Sequence, residues 1–115
     1  RSALISSKMD GSIVLTEVKS ILRLLLPYEE CSIATIAETM RLSERTLQRK
    51  LEKLGTCFRD VIDSVRADLA WHHITYSQLP ISQVADLLGY KTQSAFGRAF
   101  RRWHNQSPRE ARSTS

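Results

Sequence analysis

The 115 residues include only four glycines, three prolines and two cysteines. Each shortage excludes something. With so few chain breakers, and no run alternating with period two, strands have little to build on. Nearly every periodic segment reads as helix. Two cysteines, Cys31 and Cys57, fall short of the framework that a small secreted scaffold carries. They stand in no CxxC motif and no cysteine–histidine cluster, so no metal site is expected. Reduced thiols in a cytoplasmic protein are the plain expectation. No apolar run nears the roughly 20 residues that span a bilayer. The longest, around Ile21–Leu26, is broken by Arg23. The opening RSALISSKMDGS lacks the apolar stretch of a secretory leader. Arg stands first instead of Met, so the chain reads as a fragment, with Arg1-Ser2 left from cloning.

Acid is also scarce. Seventeen Lys and Arg face twelve Asp and Glu, a net charge of +5. The excess gathers at the end, where Lys91, Arg98, Arg101, Arg102, Arg109 and Arg112 meet the single acid Glu110. A basic terminal segment suits a polyanionic partner. The length allows one domain or two very small ones.

Along the chain, residues 1–11 read as a linker. Val14, Val18, Ile21, Leu22 and Leu25 then repeat at helical spacing up to Pro27. Ser32 is placed to cap a short helix through Ile33, Ile36, Ala37 and Met40. Ser43 is placed to cap the next, with Glu44 in its first turn and Gly55 as its stop. A longer helix runs from about Phe58 to Tyr76, and a short one over 81–88. Thr92 starts the last substantial helix, which ends near Asn105-Gln106-Ser107-Pro108.

These pieces form an internal repeat. SIATIAETM (32–40) parallels PISQVADLL (80–88), and RTLQRKL (45–51) parallels SAFGRAF (94–100). GTCF (55–58) parallels NQSP (105–108). Each unit is a short helix, a tight turn and a longer helix, the order of a helix-turn-helix. The second helix of such a unit lies in the DNA major groove and must be two-faced. At 100° per residue, Leu47, Leu51 and Leu54 share one side of the 45–54 helix, with Arg45, Gln48, Arg49 and Glu52 opposite. In the 93–104 helix, Phe96, Ala99, Phe100 and Trp103 form the apolar side. Ser94, Arg98 and Arg101 lie opposite, flanked by Gly97 and Arg102, and Gln93 projects from the first turn. Arg and Gln can make paired hydrogen bonds to guanine and adenine edges. Gly97 costs roughly 1 kcal/mol of helix propensity, and close approach of the backbone to the groove is one return.

Simpler roles account for other residues. The aromatic stripe is core packing. Ser43 and Thr92 are first of all caps, beside helix-end amides that also suit phosphate. His72 and His73 are adjacent and cannot both face one ion. His104 is expected to complement the helix dipole, and Glu52 to pair with an arginine of its own helix.

The stretches IATIAETMRLSERTLQRKLEKLGTCFRDVIDSVRADLAWHHI and ISQVADLLGYKTQSAFGRAFRRWHNQSPREAR together resemble the DNA-binding domain of AraC/XylS-type bacterial transcription regulators. The likeness covers about 14–112. Its signature is I-x-x-V-A-x-x-x-G-Y, then S-x-F-x-R-x-F, then S-P-x-x-x-R. The resemblance implies an all-α fold of about seven helices: a first helix-turn-helix subdomain (12–57), a linking helix (58–76), and a second subdomain with a C-terminal tail (77–115). A linking helix of that length spans about 30 Å at about 1.5 Å per residue. Two major-groove insertions on one face lie roughly 34 Å apart. By motif position, base contacts fall on Arg45, Gln48 and Arg49, and on Gln93, Ser94, Ala95 and Arg98. Ala95 is turned partly aside, and a thymine methyl is its natural partner. Phosphate contacts are expected from Ser43, Thr92, Lys50, Arg101 and Arg102. Three positions depart from the family pattern. Asn105 stands where Gly is usual, Met40-Arg41-Leu42 lacks the turn glycine, and Ala111 replaces an aromatic, which predicts a looser tail.

The expectation is a sequence-specific double-stranded DNA-binding part of a bacterial regulator, an activator more often than a repressor, working in the cytoplasm at the nucleoid. RNA polymerase is the expected second partner. A separate N-terminal domain for effector binding or dimerisation is expected in the whole protein, so no small-molecule effector, cofactor or membrane is assigned to this segment. The rival is a helical interaction module docking on an acidic partner such as polymerase. An enzyme has no support: no nucleophile–base pair, phosphate-cradling glycine loop or ligand cluster stands out.

Overall fold

The computed structural model describes residues 2–26 and 31–114, with the backbone alone for 2–12 and 114. Pro27, expected to end the first helix, lies outside the described residues, as do Arg1 and Ser115. The regular elements of the described residues are all α-helices: α1 (Ser2–Leu25), α2 (Ile33–Thr39), α3 (Glu44–Lys53), α4 (Phe58–Tyr76), α5 (Ile81–Leu87), α6 (Gln93–His104) and α7 (Pro108–Thr114). None of these is long and apolar enough to cross a membrane. Residues 2–11, expected as a linker, are helical and continuous with the rest of α1. The segment holds no proline, and the lone Gly11 costs only about 1 kcal/mol in a helix.

The chain divides into two compact units, residues 1–25 with 30–62, and 26–29 with 63–115. α4 begins in the first and continues into the second. In the first unit α1 packs on α2 and α3, and α2 on α3. Val18, Leu22, Ile36, Ala37, Leu47 and Leu51 are buried there. In the second unit α5 packs on α6, and α6 on α7. Val84, Ala85, Leu88, Phe96, Ala99 and Phe100 are buried there. Full burial of each large side chain contributes about 1.5–3 kcal/mol. Leu54 departs from the expected pattern: α3 stops at Lys53, and Leu54, the residue after it, stays 39% exposed.

Three helix ends follow one design, in which a left-handed residue lets two further amides reach back to orphan carbonyls. After α2, Arg41 has φ 60°, its N–H donates to Glu38 O, and Leu42 N–H donates to Ala37 O. After α3, Gly55 has φ 78°, with Gly55 N–H on Glu52 O and Thr56 N–H on Leu51 O. After α5, Gly89 has φ 85°, with Gly89 N–H on Asp86 O and Tyr90 N–H on Ala85 O. Asn105 likewise stops α6 at φ 61°, as its tolerance of that region allows.

The expected looseness of the tail does not occur. Ala111 is fully buried, and Arg112 Nε donates to Ile74 O at 3.0 Å. Its Nη2 donates to His73 O at 3.4 Å. A small side chain lets α7 sit close, and the guanidinium fixes it to α4 carbonyls.

Candidate nucleic-acid interface

Each unit presents its second helix through the same local chemistry. Ser43 adopts an extended conformation and its Oγ accepts the Thr46 N–H at 3.1 Å, which starts α3. Thr92 does the same for α6, accepting the Ala95 N–H at 3.0 Å. Such a cap is worth about 1 kcal/mol. The two hydroxyls differ in their remaining capacity. Ser43 donates its proton to Thr46 Oγ1 at 2.9 Å, while the Thr92 proton meets no acceptor among the described residues.

The buried stripe sets which side chains face out. On α3, Leu47 and Leu51 are fully buried, so Arg45, Gln48, Arg49 and Glu52 are exposed on the opposite side. On α6, Phe96 and Phe100 are fully buried and meet edge to face with centroids 5.9 Å apart. Gln93, Ser94 and Arg98 are exposed, and Ala95 is half-buried at the flank. Among the described residues, Arg45, Arg49 and Arg98 form no ion pair or side-chain hydrogen bond. Three guanidiniums are thus presented with all their donors uncommitted. Glu52, expected to pair within its helix, forms no ion pair among the described residues. An exposed pair of that kind gains little against side-chain entropy.

The expected phosphate group is less uniform. Lys50 is half-buried and lies about 100° round α3 from Arg49. Arg101 pairs with Glu110 at 3.5 Å, and Arg102 with Asp63 at 3.3 Å while lying over the Trp103 ring. Both arginine side chains remain 64% exposed. Glu110 is held below its ordinary carboxylate range first by the Ser107 backbone N–H, then by the Ser107 side chain and Arg101. Its 2.7 Å bond from Ser107 N–H and the reciprocal Glu110 N–H to Ser107 Oγ form a capping box for α7.

Several residues that hold α6 in place escape a helical-wheel reading, because they lie on α4. Arg66 Nε donates to Leu88 O at 3.1 Å, and its guanidinium lies 5.3 Å from the Tyr90 ring centroid. One side chain therefore ties down both the end of α5 and the turn beyond it. Burial raises the Tyr90 hydroxyl above its ordinary range. Trp71 stacks on Phe100 at 6.3 Å and packs on His104 at 4.9 Å. His104 does more than complement a dipole: its Nε2 lies 3.0 Å from Ala67 O, an acceptor, so that nitrogen donates. Only Arg112 among the fixing residues carried a signal, as the last position of the S-P-x-x-x-R pattern. His72 and His73 meet edge to face, and no metal-binding group occurs among the described residues.

Two capped helix–turn–helix units, each with an outward Arg-bearing second helix, define a double helix-turn-helix DNA-binding domain. Comparison with known proteins gives the family. The helix-turn-helix domain family matches residues 36–114. The chain is 38% identical over 99 residues to the ornithine utilization regulator of Pseudomonas aeruginosa, covering 86% of this chain and 29% of that protein. It is 40% identical over 95 residues to the transcriptional regulator VirS of Mycobacterium tuberculosis, covering 83% and 28%. The fold is similar to the DNA-binding domain of AdpA, a global transcriptional factor solved in complex with a target DNA: TM-score 0.70, 26% identity, 87% of this chain and 90% of that one. The chain belongs to the AraC-type helix-turn-helix family and is the DNA-binding domain of a transcriptional regulator. It spans less than a third of the length of these curated relatives.

Proposed function

We propose that α3 and α6 both read base edges, each from a major groove, at two successive turns of one duplex. Arg45, Gln48 and Arg49 serve the first groove, and Gln93, Ser94, Ala95 and Arg98 the second. The observation that carries this reading is the uncommitted state of Arg45, Arg49 and Arg98 on two helices capped in the same way, each ending at a left-handed residue, Gly55 or Asn105. Arg66, Arg101, Arg102 and Arg112 of the second unit are by contrast engaged with the protein, whereas Arg109 shares the uncommitted state. Thr92, with a proton to give, and Arg101 and Arg102, still largely exposed, supply phosphate contacts; Ser43 and Lys50 do so on α3. Affinity comes mainly from this backbone set and from released counterions, and sequence preference from the base-reading set.

Selection from a random duplex library followed by footprinting tests the reading. Two protected half-sites with centres about 10 base pairs apart are expected. Arg98→Ala is expected to cost about 1–3 kcal/mol on the selected site and to relax one base position in the second half-site. Equal weakening on selected and random duplexes would give Arg98 a phosphate role instead. In the whole regulator this domain places a transcription activator on its promoter, where it recruits RNA polymerase. The similar urease operon transcriptional activator of Escherichia coli, 26% identical over 86 residues, supports that role.

A further inference from the structure

The two units carry matching surface hollows, and the match follows the internal repeat. In the first unit Ile33, Gln48, Cys57, Phe58 and Arg59 line a hollow beside α3. In the second, Ile81, Gly97, Ser107, Pro108 and Arg109 line one beside α6. These residues correspond one to one, from the first residue of the short helix to the second residue of the helix that follows the reading helix. Leu51 also lines the first hollow and Gln93 the second, and two further differences separate them. The wall formed by Gln48 in the first is Gly97 in the second, where an added Cβ would meet nothing within 4 Å. Glu52 also lines the first hollow, whereas the corresponding residue of α6 is Arg101. The acid beside Arg109 is already engaged, since Glu110 accepts from Ser107 N–H and pairs with Arg101. Arg109 is exposed and forms no ion pair among the described residues.

No packing among the described residues requires glycine at position 97, although it weakens the helix. Gln93 and Gly97 lie one turn apart on a flank of α6, beside the row of Ser94, Arg98 and Arg101. A helix about 10–12 Å across nearly fills a major groove about 12 Å wide, so its flanks face the sugar–phosphate walls. We propose that the hollow at Gly97 seats one phosphate of the DNA backbone at close range, with Arg109 as its counter-charge. The counterpart at Gln48 and Arg59 does not. This rests on the reading that α6 occupies a major groove. Gly97 sets how near the strand comes, and Arg109 reaches the phosphate from α7.

The test is a salt series of fluorescence-anisotropy titrations, with the full chain against the selected duplex and a scrambled duplex of equal length. Arg109→Ala is expected to reduce the slope of log K against log salt by about 0.9 on both duplexes, the signature of one lost phosphate contact. Arg59→Ala is expected to leave the slope unchanged. Gly97→Gln, which installs the first unit's residue, is expected to weaken binding several-fold on both duplexes while raising the thermal midpoint. A binding loss with a raised midpoint cannot come from unfolding. An unchanged slope in Arg109→Ala, or an equal loss in Arg59→Ala, would overturn the proposal. If Arg98→Ala still relaxed a base in that case, the reading of α6 would survive. Absence of any salt-dependent binding by the unmutated chain would overturn both.

Discussion

The turn between α2 and α3 places Arg41 at φ 60°, and the turn between α5 and α6 places Gly89 at φ 85°. The hydrogen bonds around them are the same. The surroundings are not. Arg41 is exposed, whereas a Cβ on Gly89 would lie 2.8 Å from Leu26 O. The first turn tolerates a side chain at the cost of backbone strain, and the second has no room for one. The contrast extends to the fastenings. The capping bonds of Ser32 and Ser43 are local, and both ion pairs among the described residues belong to the second unit. There Asp63, Arg66, Ala67 and Ile74 of α4 connect to α5, α6 or α7 through distant side-chain contacts. One helix-turn-helix plan is thus held chiefly by apolar packing in one unit and additionally by polar pins in the other.

Breaking the contrast at the turns should give the largest effect. Gly89→Ala is expected to destabilise the chain by about 2–4 kcal/mol, combining left-handed strain with a clash against backbone. Arg41→Ala should be nearly neutral in the same denaturant titration, and comparable losses would show that the two turns do not differ. Next comes the pin: Arg66→Ala leaves the Leu88 carbonyl without its partner and should cost about 1–3 kcal/mol. Hydrogen exchange should then rise in α5 and the following turn while α2 keeps its protection; a uniform rise would deny Arg66 its local role. In the opposite direction, Arg41→Gly relieves strain and should raise stability by about 0.5–1 kcal/mol after the added flexibility of the unfolded chain is counted. A lower melting temperature would contradict the strain.

The smallest effect concerns His73, held below its ordinary range first by burial and then by the charge of His72. Its folded pKa lies below its unfolded one, so the unfolded state binds more protons on acidification. The stability it contributes is complete above about pH 6.5 and declines as pH falls below that value. His73→Gln should flatten this part of a stability–pH curve. An unchanged curve would assign the decline to other groups.

Much of the site was legible beforehand because it is local. The Ser32, Ser43 and Thr92 caps, the stops at Gly55 and Asn105, and the outward positions of Arg45, Gln48, Arg49 and Arg98 follow from chain-neighbour geometry and a 3.6-residue period. The misreadings occur where distance along the chain matters or a helix end shifts. Leu54 fits the apolar side only if α3 continues, and it ends one residue earlier. His104 suggests a dipole partner until Ala67 O arrives from α4. Ala111 suggests a loose tail until α7 is seen to need a small residue against its neighbours. Arg102, read as a phosphate ligand, has a second attraction in Asp63, distant in sequence.

By itself the sequence determined six of the seven described helices, the Ser32, Ser43 and Thr92 caps, the stops at Gly55 and Asn105, the internal repeat, and the faces that α3 and α6 turn outward, while the seventh helix came only with the family resemblance. These depend on interactions within a few residues, which spacing records. Only the tertiary structure decided which arginines remain uncommitted, how α4 fixes the second unit, and that Gly89 is enclosed while Gly97 stands open. Those depend on atoms brought together from distant parts of the chain, and no period in the sequence encodes their separation.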